Sequence, residues 1–274
     1  MLKETRIITA DAPTFAYWGD VWRHRDLIAF LALRDILVRY KQTVVGVAWA
    51  VLRPLATLLV YTFVFGKIAQ LPSNGLPYAL VVFTGLLPWQ LFSLVFGAVS
   101  ESLVANAPLV SKVYFPRIVI PISAIGVCLF DYLISFCLLL LLGAWLGMPL
   151  GWKMTLIPLV TILALLAALG IGLLAAAFNA HYRDFRHVLP IVLQLGAFIS
   201  PVGYLTSVLP EKWQLVYALN PVVGIIDAFR WCLLGTSDVI FPPSILVTLV
   251  FTAVTLWCGV VVFHRRESTF ADVI

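Results

Sequence analysis

The sequence predicts an all-α integral membrane protein with six transmembrane helices, an N-terminal amphipathic interface helix, and short re-entrant helices between the fifth and sixth spans. The chain is 62% hydrophobic and 11% charged, against roughly 25% charged residues in a typical soluble domain. Six apolar segments are each at least 21 residues long, which is enough for a helix to cross the roughly 30 Å hydrocarbon core. These segments are 44–66, 77–100, 118–145, 154–178, 188–209 and 243–263.

The positive charges between the segments predict the orientation of the chain. An even number of crossings puts both termini on one side. Of the 18 Lys and Arg residues, 14 then fall on that side and four on the other: Lys67, Lys153, Lys212 and Arg230. Since cytoplasmic loops carry the excess of basic residues, both termini are expected in the cytoplasm. The net charge of +5 does not indicate a nucleic-acid site. The basic residues cluster at the edges of the membrane segments, where anionic lipid attracts them.

Three regions follow from this pattern. Residues 1–43 form a cytoplasmic segment whose alternation of apolar and charged residues predicts an amphipathic helix, with Trp18 and Trp22 at headgroup depth. Residues 44–266 form the transmembrane domain, and 267–274 form a cytoplasmic tail.

The stretch 213–234 is apolar enough for a further span, but it contains Asn220-Pro221, Asp227 and Arg230. A seventh crossing would also place Arg265 and Arg266 outside. We therefore expect 210–241 to form short helices that dip into the outer leaflet, packed against protein so that no backbone group faces lipid unpaired.

The sequence lacks a catalytic constellation. It contains no GxSxG, HExxH or Walker A motif. His181, Asp184 and His187 are spaced by three residues, and this spacing does not bring all three to one face of a helix. The chain is therefore predicted not to be an enzyme and to bind no cofactor or metal of its own.

Two charges lie at membrane depth, Arg53 and Asp131. A charge there costs roughly 2.5–3.5 kcal/mol on insertion scales, so each should face a partner or a cavity. Either the two residues pair with each other, or Arg53 contacts an anionic substrate. The aromatic residues of the first two spans are open to two interpretations as well, because rings such as Trp49 and Phe63 suit both a lipid interface and a path for sugars.

The loop 101–117 has the character of a docking surface. Its apolar side chains are accompanied by only three charges, Glu101, Lys112 and Arg117, and exposed apolar patches of this kind mark interaction sites. Pro108 favours the first turn of a short helix and Pro116 ends it. The residues predicted to contact a partner are Leu109, Val110, Lys112, Val113, Tyr114 and Arg117.

Five stretches, taken in order, resemble the ABC-2 type permeases that export cell-surface polysaccharides such as O-antigen, capsule and teichoic acid. The resemblance spans residues from about 34 to 266. The stretches are 39–54, 85–89, 106–117, then Tyr182-Arg183-Asp184 with Pro190, Ser200-Pro201 and Tyr204, and finally Leu219-Asn220-Pro221 with Arg230 downstream.

The resemblance implies a half-transporter in a bacterial inner membrane. Two copies of the chain would form a channel, and two copies of a separate ATPase, which binds ATP and Mg, would power it. The loop 101–117 would be the coupling helix seated in the ATPase, with the N-terminal helix beside it. The substrate would be a lipid-linked polysaccharide, carried on undecaprenyl diphosphate, with O-antigen favoured over capsule or teichoic acid.

The resemblance also implies that the region 210–241 would gate the periplasmic exit, through Asn220, Pro221, Asp227 and Arg230. The residues expected to line the channel are Trp49, Arg53, Phe63 and Tyr204.

Two other classes of transporter compete with this interpretation. One is an ABC-2 permease for drugs or small lipids, and the motif from Gly46 to Pro54 argues against it. The other is an ion-coupled secondary transporter, which the scarcity of embedded acids and the lack of a visible internal repeat disfavour.

Overall fold

The computed structural model describes residues 14–41, 48–148, 151–182, 184–235 and 242–270. Within these ranges the chain forms eleven α-helices and no strand. The helices are α1 Thr14–Arg23, α2 Arg25–Lys41, α3 Ala48–Tyr61, α4 Tyr78–Ala105, α5 Ala107–Lys112, α6 Val119–Trp145, α7 Ile157–Asn179, α8 Phe185–Ile199, α9 Glu211–Ala218, α10 Pro221–Leu234 and α11 Pro242–Arg266. A π-helical segment, Thr62–Ile68, extends α3, and a 3₁₀ segment, Trp152–Leu156, precedes α7.

Five helical segments in the described ranges are long and apolar enough to cross a membrane: Ala48–Ile68, Tyr78–Ala105, Val119–Trp145, Trp152–Asn179 and Pro243–Thr269. They match the first four predicted spans and the sixth. The chain is thus a multi-pass, all-α membrane protein, as the sequence predicted.

The fifth predicted span differs most from the structure. The helix expected over 188–209 begins at Phe185 and ends at Ile199, so it has only 15 residues and is about 22 Å long. It ends there because Ser200 precedes Pro201, and a residue before proline is pushed out of the helical region. Ser200 is extended, with φ −93° and ψ 151°.

Beyond α8, two short helices occupy the region where re-entrant helices were predicted. The segments Lys212–Ala218 and Pro221–Leu234 meet at 101°, and together they are apolar enough to count as a broken span or a re-entrant loop. Asn220 starts α10, because its side-chain oxygen accepts a hydrogen bond from the Val222 N–H at 3.1 Å.

Helix α4 is the centre of the bundle, and most of its side chains are buried. It lies between α6 and α7, and α11 packs on α7. Where α7 and α11 meet, a Cβ added at Gly259 would lie 2.4 Å from the carbonyl oxygen of Gly170. The two backbones therefore touch through glycines, which is a common way for helices to approach closely in membranes.

The N-terminal segment forms two helices where the sequence predicted one. They are separated at His24, and α2 packs along the first half of α6. The contact is close, because a Cβ on Gly126 of α6 would lie 2.7 Å from the Ala32 Cβ. Side chains on the other face of α2, including Phe30, Leu33 and Leu37, are exposed. The sequence analysis predicted neither the break at His24 nor the attachment of α2 to α6.

Candidate functional site

The bundle has two distinct ends, defined here by the elements that meet there. At the α5 end lie α1, α5, the start of α6, the residues between α7 and α8, and the C-terminal 3₁₀ turn Glu267–Thr269. Tyr17 contacts His264 with ring centroids 4.3 Å apart, and the Arg266 guanidinium lies 4.9 Å from the Phe178 ring. The α10 end contains the start of α4, the residues 200–206, α9 and α10.

Helix α5 has the form that its prolines predict. It covers Ala107–Lys112, Pro108 lies in its first turn, Asn106 occupies the N-cap position, and Val113 is already extended. Because α4 continues to Ala105, α5 follows it after a single residue. Residues 106–117, the α5 element, therefore form a short structured segment with a fixed position at one end of the bundle.

The side chains of this element divide into two faces. Tyr114 is 74% exposed and Val113 is 51% exposed, and Lys112 is exposed as well. Val110 is only 2% exposed and belongs to the hydrophobic core. Leu109 is half-buried and packs against that core. Val110 therefore does not lie on the outer surface where the sequence analysis placed it; α5 uses this residue to attach itself to the bundle.

Hydrogen bonds tie the α5 element to two other parts of the chain. The Arg34 Nη2 of α2 donates to the Asn106 Oδ1 at 3.0 Å. The Arg117 backbone N–H donates to Glu267 Oε1 at 2.6 Å, and its guanidinium donates to the Glu267 carbonyl oxygen. Arg117 was predicted to face a partner, and in this structure its guanidinium instead joins the end of the loop to the C-terminal turn.

Asp131 has a different partner from the one considered in the sequence. Its Oδ2 lies 3.1 Å from Nη1 of Arg39, and its Oδ1 accepts a hydrogen bond from the Tyr40 hydroxyl. Burial and this hydrogen bond raise the pKa of Tyr40 to about 12, so the phenol stays protonated and donates. The acid in α6 thus binds the C-terminal turn of α2.

Arg53 is not part of this pair. Its side chain is exposed, and no ion pair joins it to another of the described residues. The sequence could not identify Arg39 as the partner of Asp131, because α2 was expected on the membrane surface and not against α6.

The four residues expected to line a channel separate into two places. Trp49, Arg53 and Phe63 all lie on the first span and are exposed on the bundle surface. Tyr204 lies at the α10 end, where its hydroxyl is 2.7 Å from the hydroxyl of Tyr217. A single chain therefore presents one aromatic and basic surface on α3, and a separate tyrosine pair at the α10 end.

Arg230 is the centre of the α10 end, and it is fully buried. Its Nη1 donates to the carbonyl oxygen of Tyr204 at 2.8 Å, and its Nη2 donates to those of Val81 at 3.0 Å and Val202 at 3.1 Å. One guanidinium therefore holds together α10, the start of α4, and the segment after α8. Such a fork of donors is a property of arginine and not of lysine.

The other three residues predicted at the periplasmic gate, Asp227, Asn220 and Pro221, stabilise the same α10 end of the bundle. Asp227 is fully buried, and its Oδ1 accepts a hydrogen bond from Thr206 at 2.8 Å. The Asn220 Nδ2 donates to the Ser200 Oγ at 3.0 Å, and the Pro221 carbonyl accepts from Thr248 at 2.6 Å. In this structure the four residues fix the bent helix pair in place.

Among the described residues, no three His, Cys, Asp or Glu side chains are grouped so that they could hold a metal ion. The two buried or largely buried carboxylates described above, Asp131 and Asp227, instead take part in contacts within the chain.

The fold and these two ends define a multi-pass α-helical membrane protein with a small helix exposed at one end of its bundle. The family profile of the ABC-2 type transporters matches residues 26–234. The chain therefore belongs to the ABC-2 type transporter family, and it is a transport subunit.

Of three relatives compared with the chain, two align over most of it and one over less than a third. An O-antigen export system permease protein of Myxococcus xanthus is 28% identical over 257 residues, covering 93% of this chain and 98% of the relative. A polysialic acid transport protein of Escherichia coli is 28% identical over 243 residues, covering 87% of this chain and 92% of the relative. An inner membrane transport permease of Escherichia coli strain K12 is 35% identical, but only over 80 residues, or 29% of this chain.

Proposed function

We propose that this chain is the permease subunit of an ATP-driven exporter that moves a lipid-linked polysaccharide across a bacterial inner membrane. O-antigen is the favoured substrate, ahead of capsule polysaccharide or teichoic acid. Two copies of the chain form the conduit, and two copies of a separate ABC ATPase bind the ATP and Mg. Both termini lie in the cytoplasm.

The observation that carries this proposal is the near full-length match to a permease whose name states O-antigen export, with 98% of that relative covered. The polysialic acid transport protein matches over a similar length. The relative named only as a transport permease matches 29% of this chain, so polysaccharide export has the broader support.

The structure suggests how a partner ATPase acts on the bundle. A subunit docked on Lys112, Val113 and Tyr114 would push on α5, which is attached to the core through Val110 and to α2 through the hydrogen bond between Arg34 and Asn106. Helix α2 is in turn joined to α6 by Arg39 and Asp131. Movement at the docking surface would therefore reach the transmembrane helices through packed contacts and hydrogen bonds.

The exposed surface of α3 is the best candidate for the lining of the conduit. A span that exposes Trp49, Arg53 and Phe63 suits a second copy or a shared channel better than bulk lipid, because Arg53 is costly in hydrocarbon. Aromatic rings in such a channel would offer flat faces to passing sugars, and Arg53 would attract an anionic group of the substrate.

An ion-coupled mechanism has less support from the described residues. The acid in the middle of a span, Asp131, is bound to Arg39 and Tyr40. Asp227 is buried and accepts a hydrogen bond from Thr206. Each carboxylate therefore has a structural partner within the chain.

Deletion of the gene in its host tests the proposal. We expect loss of a cell-surface polysaccharide and accumulation of the same lipid-linked polymer inside the cell, both reversed when the chain is supplied from a plasmid. Unchanged surface polysaccharides of every class, with the deletion confirmed, would contradict the proposal. Altered tolerance to small lipophilic compounds alone would instead favour a permease for drugs or small lipids.

A further inference from the structure

The last described residues of the chain are packed onto the bundle. The 3₁₀ turn Glu267–Thr269 follows α11 directly, and Phe270 after it is fully buried. The Phe270 ring centroid lies 5.1 Å from that of Phe263 in α11 and 6.3 Å from that of His181, between α7 and α8. The C-terminal segment, defined here as residues 267–270, is therefore held in place by α11 and by the residues that follow α7.

Glu267 links the C-terminal segment to the α5 element. Its Oε1 accepts a hydrogen bond from the Arg117 backbone N–H at 2.6 Å, and its carbonyl oxygen accepts one from the Arg117 guanidinium. Its Oε2 lies 3.4 Å from Nδ1 of His264. The side chain is 15% exposed, so water competes little for the carboxylate. Because hydrogen bonds with a charged partner are the stronger class, this link is a firm one.

Helix α1 reaches the same point of the bundle. The Tyr17 ring lies against the ring of His264, with centroids 4.3 Å apart. Burial, and next the neighbouring Glu267 carboxylate, raise the pKa of Tyr17, so its phenol stays neutral. Glu267 therefore lies where α1, α11 and the α5 element meet.

The exposed residues of the α5 element lie between two attachments. On its N-terminal side the element is bonded to α2, and on its C-terminal side Arg117 is held by Glu267. Val113 is extended and α6 begins only at Val119, so the segment between them has no helical hydrogen-bond ladder of its own. The exposed Tyr114 belongs to this segment. The bond at Arg117 therefore fixes where the Tyr114 ring is presented.

Glu267 also connects the α5 element to a tightly packed pair of helices. It directly follows α11, and α11 touches α7 backbone to backbone. At that contact a Cβ on Gly259 would lie 2.4 Å from the carbonyl oxygen of Gly170. Close-packed interiors transmit displacement with little loss. A shift of the α5 element would therefore pass through Glu267 to α11, and through the glycine contact to α7.

We infer that Glu267 is a positioning residue for energy coupling. Its carboxylate holds the exposed part of the α5 element in the orientation that an ATPase engages, and it carries the displacement of that element to α11. The inference rests on the proposed function. Because the donor at Oε1 is a backbone N–H, the contact requires an acceptor oxygen at this reach, and an amide oxygen also meets that requirement.

The test uses the purified complex of the chain with its ATPase in nanodiscs. Backbone hydrogen exchange is measured by mass spectrometry with and without a non-hydrolysable ATP analogue. In the unmodified chain we expect the analogue to change exchange both in 106–117 and in 264–270. In Glu267→Ala the change should stay within 106–117. The Arg117 amide of this variant should exchange at least roughly tenfold faster, which corresponds to about 1.4 kcal/mol.

Two further variants separate the role of the acceptor from a general effect on stability. Glu267→Gln keeps an acceptor oxygen at the same reach and should transmit the change as the unmodified chain does. Thr269→Ala, in the same segment, removes a hydrogen bond to the Arg266 carbonyl oxygen at 2.8 Å and should transmit the change as well. If Glu267→Ala does not fold, Arg117→Met removes the guanidinium bond of the link and should confine the exchange change in the same way.

Three outcomes would overturn the inference: transmission to 264–270 in a folded Glu267→Ala chain, no exchange change anywhere in the unmodified chain, or a Glu267→Gln variant that behaves as Glu267→Ala does. Transport per ATP hydrolysed is measured in proteoliposomes in parallel. It should fall roughly tenfold in Glu267→Ala while the ATPase stays bound.

The two measurements also separate this inference from the proposed function. Polysaccharide transport by the unmodified chain, with the same transport per ATP in Glu267→Ala, removes the positioning role and leaves the export function in place. A confined exchange change in Glu267→Ala, with no polysaccharide transport by the unmodified chain, supports the positioning role and contradicts the export function.

Discussion

At the residue scale, the two faces of the α5 element determine what a substitution there does. Tyr114 is 74% exposed, whereas Val110 is 2% exposed. We expect Tyr114→Asp to insert and melt normally but to lose ATP-dependent export, because it places a charge in the docking surface. Val110→Asp should lower protein levels, since an unpaired buried charge costs about 3–5 kcal/mol.

Protein levels, melting temperature and surface polysaccharide are measured for both variants. Ser268→Asp, an exposed change at the same end, is the control and should behave as the unmodified chain. Full export by Tyr114→Asp at normal levels would show that the ATPase docks elsewhere. The residues between α7 and α8 would then be the next surface to examine.

Arg39 gives a second prediction at this scale. Arg39→Ala leaves the largely buried carboxylate of Asp131 without its ion-pair partner, so the free energy of unfolding should fall by about 1–3 kcal/mol. Arg25→Ala removes an exposed pair with Asp26 at 3.9 Å, which is worth about 0–1 kcal/mol, and an exposed contact with the Trp22 ring at 5.6 Å. Thermal melting of the two purified variants compares them, and an equal loss would mean that the bond between Arg39 and Asp131 does not stabilise the fold.

The prediction of local structure from sequence succeeded where a residue acts on its own turn. Pro108 gave the start of the short helix α5 within the loop 101–117. It failed for residues whose role depends on distant contacts. Whether Val110 faces the core, and whether Asp131 meets Arg39 or Arg53, depends on how helices pack, and one sequence does not contain that information.

At the scale of elements, the bent pair of α9 and α10 is the part of the molecule most dependent on a single side chain. Arg230 bonds three carbonyl oxygens from α4 and the segment after α8. This arrangement requires a glycine on the facing helix, because a Cβ at Gly85 would lie 2.3 Å from Arg230 Nη2 and 2.6 Å from the Val202 carbonyl oxygen.

We therefore expect Gly85→Ala to destabilise the protein by about 1–3 kcal/mol, the usual cost of overpacking. The matched control is Gly97→Ala on the same helix, where a Cβ would meet its nearest neighbour at 3.9 Å. Melting temperatures of the two purified variants are compared. A Gly85→Ala variant as stable as Gly97→Ala would indicate that the α10 end rearranges freely. That result would contradict a fixed packing of Arg230 against Gly85.

The elements themselves differ in how far the sequence determines them. Long apolar segments predicted α3, α4, α6, α7 and α11 because hydropathy over a span is a strong signal. For α8, hydropathy continued to residue 209 while the helix ended at Ile199. The end of α8 is explained by Ser200-Pro201, because a residue before proline is disfavoured in a helix. The dipeptide therefore indicates the end of this helix better than hydropathy does.

At the scale of the whole molecule, the orientation of the bundle is testable by chemical labelling. The charge pattern predicts that the α5 end is cytoplasmic and the α10 end periplasmic. A single cysteine in place of Lys212, in α9, should react with a membrane-impermeant maleimide in intact cells. A cysteine in place of Ser268, at the C-terminal turn, should react only after permeabilisation. Labelling of the Ser268 position from outside would reverse the assignment or add a crossing.

The central claim is that this chain moves a lipid-linked polysaccharide when an ATPase acts on its α5 element. It is tested most directly in proteoliposomes that contain the chain, its ATPase on the outer face, and a fluorescent lipid-linked O-antigen polysaccharide. We predict that ATP makes the polysaccharide inaccessible to an added glycosidase, that Tyr114→Asp abolishes this protection, and that Ser268→Asp retains it. Protection that is equal with and without ATP, or absent although the assembled complex hydrolyses ATP, would contradict the claim.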